Sequence, residues 1–472
     1  MPELWTAAEL INATGGRFEG NPPEVFGGVA IDSRSLAPGD IFIAIKGENR
    51  DGHEFAASAL EAGAGVAIVS RPSEAMRARG ALLVVDEPLA ALERLGIAAR
   101  ARTGTQVIAV TGSVGKTSTK EALRLALSAE GETHASAASY NNHWGVPLSL
   151  ARMKRGAKFA VFEIGMNHSG EIIPLVKIVK PHVAIITAIA ASHLGNFDSL
   201  EDIADAKAEI FSGVEPGGAA MLNRDNVFYE RLAEAARRAG IERVHSFGKD
   251  PSADIRLVQA VLHENCSCLT ASVFGEEVLF KLGMPGEHVV MNSLAVLGAV
   301  KLVGADLARA AVSLATLSAA KGRGVRHKLA LPGGYLTLID ESYNANPSSM
   351  RAALAVLSNS RPGKGGKRIA VLGDMLELGE KGPVLHADLA NAIDASGADA
   401  LYACGPLMRH LWEAVPASRR GKYAANSDEL KKALIGALGA GDVVMVKGSL
   451  GSRMGPLVEA IRERFPPAEG MA

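Results

Sequence analysis

Residues 105–128 read TQVIAVTGSVGKTSTKEALRLALS, and this segment constrains the fold more than any other part of the chain. A β-branched apolar run ends at Thr111, a tight Gly-Ser-Val-Gly turn follows, and Lys116 opens a helical segment. Strand, glycine loop and helix in this order form a phosphate cradle, in which backbone N–H groups and the helix N-terminus face the anion. The chain is therefore predicted to bind ATP or GTP in a parallel α/β domain.

The glycine loop supplies the residues that are predicted to hold the phosphates. Lys116 would reach the β- and γ-phosphates, and the Thr117 hydroxyl would face Mg²⁺. The longer loop G-x-x-x-x-G-K-[ST] would need glycine at position 110, where this chain has valine. The alternative is an ordinary glycine turn before a helix, which the Lys-Thr pair in this context disfavours. The predicted nucleotide contacts are Gly112, Ser113, Val114, Gly115, Lys116, Thr117 and Ser118.

Size and composition limit the class of protein. At 472 residues the chain exceeds one ordinary domain, and two or three are expected. A formal net charge of −1 gives no basic footprint for nucleic acid. Three cysteines suit neither a disulfide framework nor a zinc site, which indicates a reduced, cytoplasmic setting. No signal peptide is visible, and the longest apolar stretch, residues 183–191, is too short for membrane insertion.

The pattern along the chain predicts an α/β protein of three domains, spanning residues 1–104, 105–320 and 321–472. Buried strand-like runs alternate with helical segments, as in mainly parallel sheets, whereas residues 255–282 resemble hairpins. After a glycine-containing linker at residues 319–325, the alternation restarts and indicates a doubly wound, Rossmann-like domain. The predicted strands include residues 29–31, 41–45, 66–69, 82–85, 159–164, 183–189, 219–222, 243–247, 335–339, 368–372, 400–403 and 443–446.

Two polar side chains follow buried strands of the central domain. Glu163 ends one apolar strand, and His193 comes shortly after the next. Ligands of open parallel sheets gather at the carboxyl ends of the strands, where an acidic group beside a nucleotide suits Mg²⁺. A solvent-facing glutamate and a structural histidine are the alternatives.

Lys207 lies on the apolar face of a predicted helix that begins after Ser199. Leu200 and Ile203 define that face, and Lys207 falls in its middle. A lysine is rarely placed inside a protein without a partner or a chemical role, and burial favours its neutral amine. The alternative is a lysine that extends to the surface and pairs with an acid.

Polar loops elsewhere in the chain could contact a substrate. Asn142 lies in SYNNHWGVPLSL, where amides suit phosphate or substrate but cap loops equally well. In LTLIDESYNANPSSM a strand end carries Asp340, and the turn that follows is rich in amides. Such a loop suits a small zwitterionic ligand or a nucleotide sugar.

Taken together, these motifs resemble those of the Mur ligases, the ATP-dependent amide-bond-forming enzymes of peptidoglycan precursor synthesis. The resemblance covers almost the whole chain, in a three-domain architecture. TGSVGKTSTKE matches the short phosphate loop of the family, and SYNNHWGVPLSL, Glu163, His193 and AKAEIF match in order. IDESYNANPSSM and VLGDMLELG resemble the branch that adds D-alanyl-D-alanine to UDP-MurNAc-tripeptide.

The resemblance implies roles for particular residues. Thr117, Glu163 and His193 would serve Mg²⁺, and Lys207 matches a lysine that is N-carboxylated and ligates a second Mg²⁺. The implied ATP contacts are His288 and Asn292 near the adenine, Asp340 at the ribose, and Arg323 or Arg326 at the phosphates. The implied catalytic residues are Lys116, Asn142, Glu163, His193 and Lys207. The implied substrate contacts are Ser33, Arg34, Lys46 and His53 for the UDP-sugar in the first domain, Ser139 in the central domain, and Tyr343, Asn344, Asn346 and Ser449 for the dipeptide in the third.

Three alternatives are left open by the residues. Another amide ligase of the same superfamily would use a different amine. The Asp-Asn-Pro-Arg motif of the diaminopimelate- or lysine-adding branch is absent, and a folylpolyglutamate synthase lacks a first domain with an Asp-Ser-Arg motif like the one at residues 32–34. A GTPase switch would need Asn-Lys-x-Asp, of which Asn223-Arg-Asp-Asn226 is a loose echo. A scaffold without catalysis would have no reason to keep Lys116, Glu163, His193 and Lys207 together. The resemblance implies small-molecule substrates and a monomer.

Overall fold

The computed structural model of the protein describes residues 3–47, 49–137 and 139–468. In these ranges the strands form one two-stranded and three larger sheets, and each larger sheet comes from one continuous stretch of chain. The short 3₁₀ helices are Ser33–Ser35, Leu194–Asn196, Glu209–Gly213, Leu314–Thr316, Gly379–Lys381, Ala417–Arg419 and Leu450–Ser452. Among the described residues, no helix combines the length and the apolarity needed to cross a lipid bilayer.

The first part of the chain builds a small mixed sheet flanked by helices. Its strands are β1 (Trp5–Thr6), β2 (Arg17–Glu19), β3 (Val25–Phe26), β4 (Val29–Ala30), β5 (Ile41–Ile43), β6 (Val66–Val69) and β7 (Leu82–Val84). Its helices are α1 (Ala7–Thr14), α2 (His53–Glu61), α3 (Glu74–Arg77) and α4 (Pro88–Ala101). The sheet order is β2-β7-β6-β5-β4, with β4 to β7 parallel, and β1 pairs with β3 separately. A capping box of Thr6 and Glu9 starts α1.

The central part contains the largest sheet. Its strands are β8 (Gln106–Thr111), β9 (Thr133–Ala135), β10 (Phe159–Glu163), β11 (Val183–Ile186), β12 (Ala219–Asn223), β13 (Arg243–Gly248), β14 (Ile255–Leu262), β15 (Ser267–Val273) and β16 (Glu276–Leu282). Its helices are α5 (Lys116–Ser128), α6 (Gly145–Ala151), α7 (Ile172–Val179), α8 (Leu200–Ala208), α9 (Tyr229–Arg238), α10 (Glu287–Leu302) and α11 (Leu307–Ser313). The order is β16-β15-β14-β13-β12-β11-β8-β10-β9, and only the β14-β15-β16 pairings are antiparallel within the described ranges. Because β8 lies between β10 and β11, its carboxyl end is a switch point where ligands collect.

The third part is a six-stranded sheet with helices on both faces. Its strands are β17 (Val325–Leu331), β18 (Gly334–Glu341), β19 (Arg368–Gly373), β20 (Ala400–Cys404), β21 (Arg420–Ala424) and β22 (Val443–Lys447). Its helices are α12 (Pro347–Ser358), α13 (Gly382–Ala387), α14 (Ala390–Ser396), α15 (Met408–Ala414), α16 (Ser427–Ala437) and α17 (Met454–Arg464). The order is β17-β18-β22-β19-β20-β21. The edge strand β17 is antiparallel and begins at Val325, inside the predicted linker.

The first and central parts share a hydrophobic core. Leu148 and Ala151 of α6 belong to the buried cluster of the first part, together with Leu95 of α4. A Cβ at Gly96 of α4 would lie 3.2 Å from the Pro147 carbonyl oxygen, so glycine permits this close helix approach. The three-domain α/β prediction is confirmed, whereas the exact borders at 104/105 and 320/321 remain predictions.

Candidate active site

A cavity of about 500 Å³ lies at the carboxyl end of β8, between the central and third parts of the chain. The phosphate loop and the start of α5 form one wall, and Glu163 with Asn141 forms another. Residues from the start of α10 and from the β18–α12 turn complete it. The cavity therefore joins loops that the sequence places far apart.

The phosphate loop has the conformation that its glycines permit. Gly112 and Gly115 have φ values of 146° and 85°, in the region that side chains rarely adopt. A Cβ at Gly112 would lie 2.0 Å from Thr187 Oγ1, and one at Gly115 would lie 2.3 Å from Asn292 Nδ2. The Ser113 hydroxyl donates a 2.9 Å hydrogen bond to the Ala190 carbonyl, which ties the loop to the segment after β11. Glycine at these two positions is thus a steric requirement.

Lys116 closes the loop from the first turn of α5. Its Nζ donates a 2.8 Å hydrogen bond to the Gly112 carbonyl, so the side chain folds back over the loop. Burial lowers the pKa of Lys116, and nearby Arg323 lowers it further, whereas Glu163 opposes the shift. An anionic phosphate would stabilise the charged form of this amine.

Glu163 is buried at the end of β10 with both carboxylate oxygens engaged. Oε2 accepts a 2.8 Å hydrogen bond from the Thr117 hydroxyl, and Oε1 accepts one of 2.7 Å from Asn141 Nδ2. The site amide is therefore Asn141, and the prediction for Asn142 is corrected. Asn142 Oδ1 accepts from the Gly145 backbone N–H at the start of α6, and its side chain does not line the cavity. The side chains of the two neighbouring asparagines point in different directions. The sequence Asn-Asn alone therefore does not show which of them faces the cavity.

His193 and Lys207 differ in their position, since His193 lines the cavity and Lys207 does not. His193 lines the cavity, and its Nδ1 lies 2.5 Å from Glu377 Oε2 of the third part. The hydrogen bond to His193 lowers the pKa of Glu377. Lys207 is only 2 % exposed and makes no hydrogen bond or ion pair with the residues described here. Burial lowers its pKa far below the usual lysine value, and neighbouring Lys116 adds to the shift.

The donor set suits Mg²⁺ in part. The Thr117 hydroxyl and the Glu163 carboxylate are oxygen donors of the kind that Mg²⁺ prefers, whereas the His193 nitrogen is not. Within the described residues no group of three or more His, Cys, Asp or Glu side chains could hold a metal by itself. Phosphate oxygens, waters or an N-carboxylated Lys207 would have to complete the coordination.

The start of α10 and the end of β18 form the opposite wall of the cavity. His288 and Asn292 line it, and burial lowers the pKa of His288; their contact with the adenine stays a prediction. Asp340 does not line it, and this prediction is corrected: Oδ2 accepts from the Gly322 N–H, and Oδ1 accepts from Ser342. Its neighbour Glu341 lines the cavity instead, because successive side chains of a strand face opposite sides.

Lys447 is a cavity residue that sequence reasoning did not assign to the site. It ends β22, and its buried Nζ lies 3.1 Å from Glu341 Oε2 and 3.0 Å from the Asn344 carbonyl oxygen. Its position at the carboxyl end of a strand was the available signal.

The two linker arginines differ in their contacts. Arg323 lines the cavity, lies 4.2 Å above the Tyr343 ring and donates to Ser139 Oγ at 3.2 Å. Arg326 lies in β17 and is held by Glu264 and Ser360, away from the cavity. Arg323 is thus the linker cation that faces the phosphate loop.

The predicted dipeptide contacts lie around two adjoining cavities. Tyr343, Asn344 and Asn346 line the large cavity, and the last two also line a second one of about 120 Å³. Ser449 lines only the second cavity, together with Lys116. Asn346 also caps α12, so its Oδ1 is engaged with the Ser349 N–H.

The first-domain candidates lie at the carboxyl ends of β4 and β5, and none lines the large cavity. Exposed Arg34 pairs with Asp32, and this pairing lowers the pKa of Asp32 to about 2. His53 is engaged on both ring nitrogens: Nδ1 lies 2.7 Å from Asp51 Oδ1, and Nε2 accepts from the Ser70 N–H. His53 therefore shapes this edge of the sheet, whereas Arg34, Ser33 and Lys46 remain candidates for direct contact.

A phosphate loop at a sheet switch point, an acidic group on the next strand and a second α/β part over the cavity define a nucleotide-dependent α/β enzyme. Three models of one protein family match successive segments of the chain. The model "Mur ligase family, catalytic domain" matches residues 25–102, "Mur ligase middle domain" matches residues 110–300, and "Mur ligase, glutamate ligase domain" matches residues 328–450. The chain belongs to the Mur ligase family.

Individual relatives and solved structures match over nearly the full length. The UDP-N-acetylmuramoyl-tripeptide–D-alanyl-D-alanine ligase of Escherichia coli is 34% identical, over 97% of this chain and 98% of that one. A crystal structure of MurF from Acinetobacter baumannii is 32% identical with a TM-score of 0.84, and the match covers 97% of this chain and 99% of that one. MurF from Thermotoga maritima in complex with ADP is 26% identical with a TM-score of 0.76, covering 92% and 97%.

Proposed function

We propose that this protein is an ATP-dependent ligase that joins D-Ala-D-Ala to UDP-MurNAc-tripeptide, giving UDP-MurNAc-pentapeptide, ADP and phosphate. The observation that carries the proposal is the cavity in which the phosphate loop, Glu163 and the amide-rich turn of the third part lie together. The name of the E. coli relative supports this substrate pair, and the ADP complex of the T. maritima protein supports the use of ATP.

The reaction requires a carboxylate to become an electrophile. Transfer of the γ-phosphoryl group of ATP to the terminal carboxylate of the tripeptide gives an acyl phosphate. The amine of D-Ala-D-Ala then attacks the acyl carbon, a tetrahedral intermediate forms, and phosphate leaves. Lys116 offsets negative charge on the transferring phosphoryl group, and Arg323 adds a second cation from the linker.

Mg²⁺ would be held by Thr117 and Glu163, with His193 nearby, and would neutralise phosphate charge during transfer. An N-carboxylated Lys207 would change a buried amine into a carboxylate-like oxygen donor for a second Mg²⁺. The support for this proposal is a buried lysine with a strongly lowered pKa and no described partner, because N-carboxylation requires the neutral amine.

The remaining residues would bind and align the substrates. His288 and Asn292 would contact the adenine, and Ser33, Arg34 and Lys46 the uridine diphosphate. Asn344, Asn346 and Ser449 would hold the incoming dipeptide beside Lys116. The third part would cover the cavity during the reaction and exclude water from the acyl phosphate. We place this activity in the cytoplasm, where ATP is available, and in a monomer, because one chain supplies every residue of the site.

The test is phosphate release from ATP with UDP-MurNAc-tripeptide, with and without D-Ala-D-Ala, and with single amino acids as controls. Release that needs both substrates and equals the pentapeptide formed supports the proposal. Release with another amine would keep the ligase chemistry and assign a different branch. No release with any pair, despite tight ATP binding, would contradict the proposal.

A further inference from the structure

One of the contacts that the third part of the chain makes beside the phosphate loop runs through a short loop that carries Glu377. His193 Nδ1 lies 2.5 Å from Glu377 Oε2, and the Gly195 N–H donates a 2.9 Å hydrogen bond to the Glu377 carbonyl oxygen. Behind this pair the backbones meet, since a Cβ at Gly379 would lie 3.1 Å from Gly195 Cα. The contact is therefore built from side chain and main chain together.

Both residues of the contact have a left-handed backbone conformation, which residues other than glycine rarely adopt. The φ values are 57° at His193 and 63° at Glu377. Glycine would adopt this conformation more readily, yet both positions carry long polar side chains. Their side chains meet each other, which gives a physical reason for the conformation.

The loop that carries Glu377 is fixed to the third part. The three residues before it each make a hydrogen bond: Asp374 Oδ1 accepts from the Met408 N–H at 2.7 Å, the Met375 N–H donates to His386 Nε2 at 3.0 Å, and the Leu376 N–H donates to Ser449 Oγ at 2.9 Å. Glu377 therefore moves with the third part as one body, and it is linked through Leu376 to the proposed dipeptide contact Ser449.

The position of the pair adjoins the reacting phosphates. His193 and Glu377 line the second cavity together with Lys116. Glu377 is 58 % exposed, so the hydrophobic core does not require it. His193 Nε2 makes no hydrogen bond to any described residue. With Nδ1 held by a carboxylate, the ring orientation is fixed, as carboxylates fix histidines at metal sites.

We infer that Glu377 is a positioning residue that orients His193 beside the phosphate loop only when the third part is seated on the central part. Phosphoryl transfer is thereby coupled to domain closure, and ATP is protected from reaction while the third part is away. The inference rests on the proposed function, and it gives Glu377 a role that acts through His193.

The experiment compares Glu377→Ala, Glu377→Gln and the matched control Glu380→Ala, an exposed glutamate in the same segment. Glu377→Ala is expected to lower kcat by about 10- to 100-fold, the usual cost of losing such a supporting carboxylate. The KM for ATP should change less than about twofold, since the nucleotide contacts remain. Glu377→Gln keeps an acceptor for Nδ1–H and should recover most of kcat, and Glu380→Ala should match the unmodified protein.

Small-angle scattering gives a readout that does not depend on turnover. With an ATP analogue and the sugar substrate bound, Glu377→Ala should show a larger radius of gyration than the unmodified protein and Glu377→Gln. An active protein in which Glu377→Ala retains kcat, lacks rescue by glutamine or keeps the compact radius would overturn the inference. An inactive unmodified protein would instead contradict the proposed function, so the two failures are distinguishable.

Discussion

The Thr117 hydroxyl donates a 2.8 Å hydrogen bond to Glu163 Oε2, and this bond joins the first turn of α5 to the end of β10. The two residues are separated by 46 positions, yet both lie at the carboxyl edge of the central sheet. Oxygen donors from two elements thus converge beside Lys116, where phosphate charge would be greatest.

Replacing Glu163 with glutamine should abolish most of the activity without unfolding the protein. The variant keeps an acceptor for Thr117 but loses the negative charge that would hold Mg²⁺. We expect kcat to fall by about 100- to 1,000-fold, as for other preorganised electrostatic contacts. Phosphate release titrated with Mg²⁺ measures this effect, and exposed Glu201→Gln is the control. Unchanged Mg²⁺ dependence would argue against a metal role for Glu163.

Arg323→Ala and Arg326→Ala should separate the two linker arginines. Arg323 faces the phosphate loop, and a charged hydrogen bond contributes about 1.5–3 kcal/mol. We expect kcat/KM for ATP to fall about 10- to 100-fold in Arg323→Ala. Arg326→Ala should leave the KM for ATP within about twofold and lower the melting temperature, because it breaks contacts with Glu264 and Ser360. The reverse ranking of the two variants in steady-state kinetics would refute this assignment.

Lys207→Ala should lose activity and regain part of it with short carboxylic acids. If the N-carboxylated side chain supplies oxygen donors, a free carboxylate in the space left by the lysine can replace them. The matched control is Lys177→Ala, at an exposed lysine of α7. Thermal melting of each variant distinguishes a folded, rescuable enzyme from a damaged core. Full activity of Lys207→Ala without additives would exclude a role for this amine.

Arg34→Ala should affect only the sugar substrate. Its side chain is 83 % exposed and lies at the edge of the first sheet, outside the large cavity. We expect the KM for UDP-MurNAc-tripeptide to rise about 10-fold, in line with one lost charged contact, while the KM for ATP stays constant. Arg17→Ala, an exposed arginine in β2, should leave both values unchanged. A change confined to ATP would move the sugar-nucleotide site elsewhere.

Acid should destabilise the protein through His134. Burial lowers the pKa of this histidine to about 4, and its Nε2 lies 2.8 Å from the Ser149 carbonyl oxygen. The folded protein thus favours the neutral form of His134. The contribution of this histidine to the free energy of unfolding is fully present above pH 6.5 and is lost as pH falls towards 4. We expect a loss of about 2 kcal/mol over this range, from roughly 1.4 kcal/mol per pKa unit with a discount for partial exposure. Denaturant titrations at several pH values should show a smaller loss in His134→Gln.

Local sequence was sufficient to predict those features of the fold and of the site whose geometry a single segment determines. The phosphate loop, the strand end at Glu163 and the alternating strands of all three parts follow from patterns of a few residues. Contacts between distant segments could not be predicted from local sequence. His193 and Glu377, for example, are 184 positions apart, and no local pattern links them. The choice between two adjacent residues was wrong for a related reason. The backbone conformation decides which side chain of a pair faces the cavity, and that side chain is Glu341 rather than Asp340, and Asn141 rather than Asn142.

The packing of α6 against α4 means that the first sheet is not a self-sufficient folding unit. Leu148 and Ala151 lie in the central sequence but complete the core around Leu95. The Trp5 indole N–H also donates 2.8 Å to the Ala151 carbonyl oxygen. A fragment that stops near residue 104 would expose this apolar surface and leave the indole unpaired. Separate expression of residues 1–104 should therefore give an aggregation-prone peptide.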